Sequence, residues 1–206
     1  MSLRQQIARP AVALGMLVAL ATVVHAGPPL ICHPFDPGTA RLLPWDTARS
    51  GWNTPDRAYD IKSLTADTVR LLSPDAPVLA RMENLRRATI YAMQDERIAA
   101  ELLSAVVGRA QSDAGKGRDP LAWFDAGYLI ESYKQASSTA KRDMLAATAL
   151  DGYAMVKKAL LLAGANPEME FAASLMKSGE ASADHRRRAL AGAPADSLLA
   201  RNLATH

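Results

Sequence analysis

Residues 119–135 read Asp-Pro-Leu-Ala-Trp-Phe-Asp-Ala-Gly-Tyr-Leu-Ile-Glu-Ser-Tyr-Lys-Gln. Asp119 can cap a helix and Pro120 suits the first helical position, where its missing N–H is no loss. At 100° per residue, Trp123, Phe124, Tyr128, Ile130 and Tyr133 fall on nearly all sides of that helix, so an acid within it is expected to be at least partly buried. Aromatic residues make up only 5% of the chain, and Ala and Leu run through its second half. That composition favours helices packed through aliphatic side chains over β-branched and aromatic strands.

Flanking segments carry the same period. A short helix is expected over 63–72, stopped by Ser73-Pro74. Asp75 is expected to cap a helix entering at Pro77, with Val78, Met82, Leu85 and Thr89 on one face. Ile98, Leu102, Ala105 and Val106 mark an amphipathic helix over 96–111, broken by the Ser112-Asp113-Ala114-Gly115-Lys116-Gly117-Arg118 loop. Ser137-Ser138-Thr139 is expected to cap the longest helix, 140–163, with Leu145, Ala149, Gly152, Val156 and Leu160 inward and Gly164 at its end. Asn166-Pro167-Glu168 starts a further helix with Glu168 and Glu170 near its positive end, closed by Gly179. Two short helices, 182–191 and 196–203, complete the chain. Pairing these segments as 77–111, 119–163 and 167–191 gives an all-α fold: stacked helical hairpins or an irregular helical bundle over 63–206.

Trp123-x-x-Ala126-Gly127-x-x-Ile130 resembles the first helix of a tetratricopeptide repeat, over one helix of one repeat and with Ile130 at the place of an aromatic. That resemblance implies helical hairpins and carries no activity with it.

Residues 27–62 have six prolines and three glycines and no sustained period, which excludes helix over most of the segment. Phe35, Trp45, Trp52 and Tyr59 nevertheless lie there, and aromatics are rare in disordered tails. An extended arm pinned on the helical body by its aromatic rings is expected. The opening Gly27-Pro28-Pro29-Leu30-Ile31-Cys32-His33-Pro34-Phe35-Asp36 is similar to that of a group of uncharacterised secreted bacterial proteins, as are Phe124-Asp125-Ala126-Gly127-Tyr128 and Asn202-Leu203-Ala204. The resemblance implies export and a bacterial origin.

Residues 1–26 read as a secretory signal: Arg4 and Arg9 with no acid, 14 uncharged residues from Ala11 to Val24, then Val24-His25-Ala26 as a cleavage site. Such a run spans about 21 Å as a helix, short of the roughly 30 Å hydrocarbon layer, so no stable membrane span is expected after processing. Ile31 before Cys32 argues against a lipid-modified cysteine. The expected location is periplasmic or extracellular.

The whole chain has 24 Lys and Arg against 21 Asp and Glu. Loss of Arg4 and Arg9 with the leader leaves 22 against 21, so no broad basic footprint for nucleic acid is expected. A composition of 49% hydrophobic and 22% charged residues excludes a disordered or collagenous chain, and one cysteine excludes an internal disulfide.

No residue set demands catalysis, a metal or a cofactor. Cys32 and His33 are adjacent, and neighbouring side chains on an extended segment diverge; no second cysteine or third ligand completes a site. Gly115-Lys116-Gly117 lacks the strand and helix of a phosphate loop. Asp125 and Glu131, six residues apart, lie on different faces; for these acids a salt bridge to an arginine of a neighbouring helix is expected, with a ligand-facing polar group as the alternative. Arg86-Arg87 reads as a solvated pair, with Glu83 able to meet Arg87 one turn on. The densest charge run is Arg186-Arg187-Arg188 beside His185. The expected function is an exported helical interaction module for a protein or peptide partner. The alternative is a binder of a small ligand or envelope polymer through Trp45, Trp52, Arg186, Arg187 and Arg188. An enzyme using Cys32 and His33 is a third reading.

Overall fold

The structure, a computed structural model, describes residues 29–112, 117–140 and 149–206. The expected leader and Leu145 lie outside the described residues, which contain eight α-helices and no strand. These are α1 (Leu64–Leu71), α2 (Val78–Ala92), α3 (Glu96–Gln111), α4 (Pro120–Ala140), α5 (Gly152–Ala163), α6 (Pro167–Ser174), α7 (Gly179–Ala191) and α8 (Leu198–Thr205). A single 3-10 turn, Ile61–Ser63, leads into α1.

Several starts follow from local capping chemistry. Asp95 accepts from Arg97 and Ile98 N–H, Asp119 from Leu121 and Ala122, Asp151 from Ala154, Asn166 from Met169, and Ser197 from Ala200. Gly164 ends α5 with φ +73°, a conformation that favours glycine.

Four boundaries differ from the sequence reading. Ser137, Ser138 and Thr139 continue α4 rather than capping a new helix, and α5 begins only at Gly152 behind Asp151. Of the stripe expected to face inward, Gly152 and Val156 are buried, Leu160 is half-buried and Ala149 is exposed. Gly179 does not close α6, which ends at Ser174; with φ +65° it opens α7. Asp75 does not cap α2. The first amides of α2, Val78 and Leu79, instead donate to the carboxylate of Glu168 on α6, a cap supplied from 90 residues away that sequence-local reasoning cannot see.

The largest departure concerns α2. Every residue from Val78 to Ala92 except Arg87 is buried, including Arg81, Glu83, Asn84 and Arg86. The helix is the axle of an irregular bundle, set against α4 and α6 on one side and the arm on the other. The α4–α5 and α6–α7 pairs are the closest hairpins, whereas α2 packs more on α4 than on its sequence neighbour α3. An irregular bundle, rather than a regular stack, is the result.

Candidate functional site

The polar side chains of α2 hold the arm. Glu83 accepts from the Phe35 amide at 3.1 Å, and Asn84 accepts from Leu43 N–H at 2.8 Å while donating to the Arg41 carbonyl at 3.1 Å. Arg86 donates to the carbonyls of Ile31 (3.1 Å) and Trp52 (3.0 Å), and Arg87 to that of Leu43 (2.6 Å). Tyr91 donates its hydroxyl to Pro44 O and accepts from Asp56 N–H. An extended segment has no ladder of its own for its backbone groups, and burying them unpaired would cost about 1–3 kcal/mol each. The buried charges of α2 answer that need. Glu83 balances two guanidinium groups, meeting Arg86 through both oxygens at 2.7 and 2.9 Å and Arg87 at 2.7 Å. Arg86-Arg87 is therefore not a solvated pair: Arg86 is fully buried and Arg87 only 15% exposed.

Apolar contacts complete the attachment. Leu30, Ile31, Phe35 and Leu43 are buried. The Phe35 ring stacks on His206 at 4.6 Å and meets Phe171 edge-on at 6.1 Å. Asp36 and Asn202 exchange two hydrogen bonds of 2.9 Å, tying the arm to α8.

The tryptophans of the sequence reading stand at this seam. Trp45 is half-buried beneath the guanidinium groups of Arg86 and Arg87, 5.0 and 5.3 Å from its ring centre, and meets Tyr91 edge-on. Trp52 is half-buried and stands outside the packed core. Just past it, the arm and the last turn of α2 enclose an open groove of about 530 Å³. Ile90, Met93 and Pro55 supply its apolar floor, Asn53 and Gln94 two amides, and Arg49 and Arg57 its charge. No carboxylate lines it. Arg49 approaches Asp46 only at 3.9 Å with a side chain 44% exposed, and Arg57 has no ion pair within 4.0 Å among the described residues.

Arg186, Arg187 and Arg188 serve three separate contacts. Arg186 donates to the Leu203 carbonyl on α8, Arg187 pairs with Asp184 on its own helix, and Arg188 pairs with Glu170 of α6 at 2.8 Å. Arg188 thereby joins a cluster around His185, whose ring also meets Glu170 and the Tyr153 hydroxyl.

Cys32 is a half-buried free thiol, and burial pushes its pKa up while Arg86 pulls the other way. His33 meets the His206 ring edge-on at 5.8 Å. Asp125 is fully buried and bonded to Arg81 at 2.6 Å, with Arg109 at 3.6 Å, so a salt bridge to a neighbouring helix is what it forms. Burial pushes its carboxyl up to about 7 despite both cations. Glu131 accepts from Lys134 and from the Tyr153 amide at the start of α5, a helix-capping role. Among the described residues no group of three or more His, Cys, Asp or Glu is placed to hold a metal, and no helix is long and apolar enough to cross a membrane.

No family model matches the chain, and no curated protein or solved structure matches it.

The groove and the His185 cluster were both missed by sequence reasoning. Arg49 and Arg57 lie 33 or more positions before Ile90 in a segment without periodicity, and Tyr153, Glu170 and His185 come from three helices whose packing no spacing announces.

Proposed function

We propose that the protein is an exported helical binding module whose groove between the arm and the end of α2 takes an acidic peptide segment of a partner protein. The observation that carries this reading is the groove's lining: two arginines and two amides over an apolar floor, with no carboxylate. A volume of 530 Å³ suits a few side chains. Arg49 and Arg57 would meet carboxylates, Asn53 and Gln94 backbone groups, and Ile90 with Met93 an aliphatic side chain. The flexible thioether of Met93 suits a site that adapts to its occupant. Export rests on the leader read from residues 1–26.

Arg57 is the variant of choice because it lines the groove and makes none of the contacts that hold the arm. Titration of the protein with an acidic, leucine-containing hexapeptide, followed through tryptophan emission, should show saturable binding that weakens with salt. The same peptide with lysine in place of its acids should not bind, and Arg57→Ala should weaken the acidic peptide by about tenfold. Equal binding of both peptides, or no loss in Arg57→Ala, would overturn the reading.

A further inference from the structure

Tyr153, His185 and Glu170, on α5, α7 and α6, form a line of polar atoms. The Tyr153 Oη lies 2.8 Å from His185 Nε2, and His185 Nδ1 meets Glu170 Oε2. Glu170 Oε1 accepts from Arg188 Nε at 2.8 Å, which fixes the carboxylate. Arg188 Nη2 lies 2.7 Å from Nδ1 as well. Nδ1 lies between an acceptor, Glu170 Oε2, and a donor, Arg188 Nη2; in the tautomer that donates Nδ1–H to Glu170, the Nε2 lone pair faces the phenol. His185 is 6% exposed and cannot swing freely, while Tyr153 is half-buried and reaches the surface.

The setting is cationic. Lys177, in the α6–α7 connection, and Lys157 of α5 place their ammonium groups 4.4 and 5.0 Å from the Tyr153 ring centre. Neither has a carboxylate within 4.0 Å among the described residues, and Arg188 is half-exposed beside them. Of the chain's other four tyrosines, Tyr91 and Tyr133 donate to backbone carbonyls, Tyr59 donates to a carboxylate and Tyr128 is buried with no partner for its hydroxyl among the described residues. Only Tyr153 directs its hydroxyl at an imidazole oriented by a carboxylate, the arrangement of a nucleophile, its base and the group that positions the base.

We propose that Tyr153 is a nucleophile for phosphate esters, with His185 as its general base, Glu170 as the residue that positions His185, and Lys157, Lys177 and Arg188 as the seat of the phosphoryl oxygens. Burial raises the phenol above its ordinary pKa, so it stays protonated at neutral pH and attack requires the base that is in place. In the step, the Tyr153 Oη–phosphorus bond forms and the bond from phosphorus to the ester oxygen breaks. The phenolic proton passes to His185 Nε2, and the departing oxygen, on the far side of phosphorus, leaves as the anion and takes its proton from water. The product is an O-phosphoryl tyrosine and the free alcohol or phenol. This inference is independent of the peptide groove and stands or falls without it.

The test treats the full chain with bis(p-nitrophenyl) phosphate and follows p-nitrophenolate release together with peptide mass mapping. The expected result is one equivalent released and one nitrophenyl-phosphoryl group on Tyr153. Tyr153→Phe, which keeps the ring, should abolish both, His185→Gln should slow labelling by at least about tenfold, and Arg187→Ala should label as the unaltered protein does. Glu170→Gln should move the pH at which labelling is half-maximal, a readout that packing alone leaves in place. The charged groups facing the pair are Glu170 of α6, Arg188 of α7, Asp151 and Lys157 of α5, and Lys177, with Asp184 of α7 acting on Arg188. Absence of a Tyr153 adduct on the folded chain, labels spread over all tyrosines, or unchanged labelling in His185→Gln would each overturn the proposal. Should His185→Gln fail to fold, the comparison of the unaltered chain with Tyr153→Phe decides alone.

Discussion

Gly127 of α4 and Gly152 of α5 meet backbone to backbone. A methyl group on Gly127 would stand 2.4 Å from the Gly152 carbonyl oxygen, and one on Gly152 would stand 2.5 Å from the Gly127 carbonyl oxygen. The two helices cross at this point, where any side chain on either position would force them apart. Gly127→Ala should destabilise the protein by about 1–3 kcal/mol, read as a drop of several degrees in thermal midpoint. A midpoint unchanged by the substitution would mean that the helices do not cross this closely.

Glu83 compensates two guanidinium groups inside the protein. Removing its charge leaves the buried Arg86 without a counter-charge, which costs more than the pair contributes. Glu83→Gln should therefore cost about 3–5 kcal/mol in urea unfolding. A loss under about 1 kcal/mol would place the pair in contact with water.

Asp125 gives the stability a pH signature. Its folded pKa is raised to about 7 by burial, whereas in the unfolded chain it titrates near 4. Between those values the folded state holds a proton that the unfolded state has lost, so stability falls as pH rises from about 4 to 7 and is level outside that window. Asp125→Asn should lack this component. Subtracting its unfolding free energy from that of the unaltered protein should give a curve descending across the window; an ascending or flat curve would contradict the assignment.

Much of the helical body was legible because short-range chemistry fixes it. Asp119-Pro120, Asn166-Pro167 and Gly164 act within one turn, and the helix ends they mark are found where the text places them. What was illegible depends on distance. Ser137 to Thr139 have the composition of a cap yet continue a helix, since a cap is only an option that packing can override. Arg86-Arg87 read as solvated, because nothing in Glu83, Asn84 and Arg86 tells that an arm some 40 to 55 residues earlier needs their hydrogen bonds. The groove inherits that blindness, being bounded by the same arm and helix.

Cys32 offers a chemical probe of the same seam. Its half-buried position and raised pKa predict slow reaction with a thiol reagent at pH 8, accelerating when urea unfolds the chain. Fast labelling of the native protein well below that pH would contradict the burial of the arm's first turn.

The central claim is that the arm is part of the fold and so a fixed wall of the groove, held by the buried side chains of α2. Hydrogen exchange at the Phe35 and Leu43 amides tests it most directly, because their acceptors are the Glu83 carboxylate and the Asn84 side-chain carbonyl. Both amides should be protected nearly as strongly as those in the middle of α4, opening only with global unfolding. Exchange at the rate of an unstructured chain while α4 stays protected would show an arm that comes and goes, and a groove with only one side.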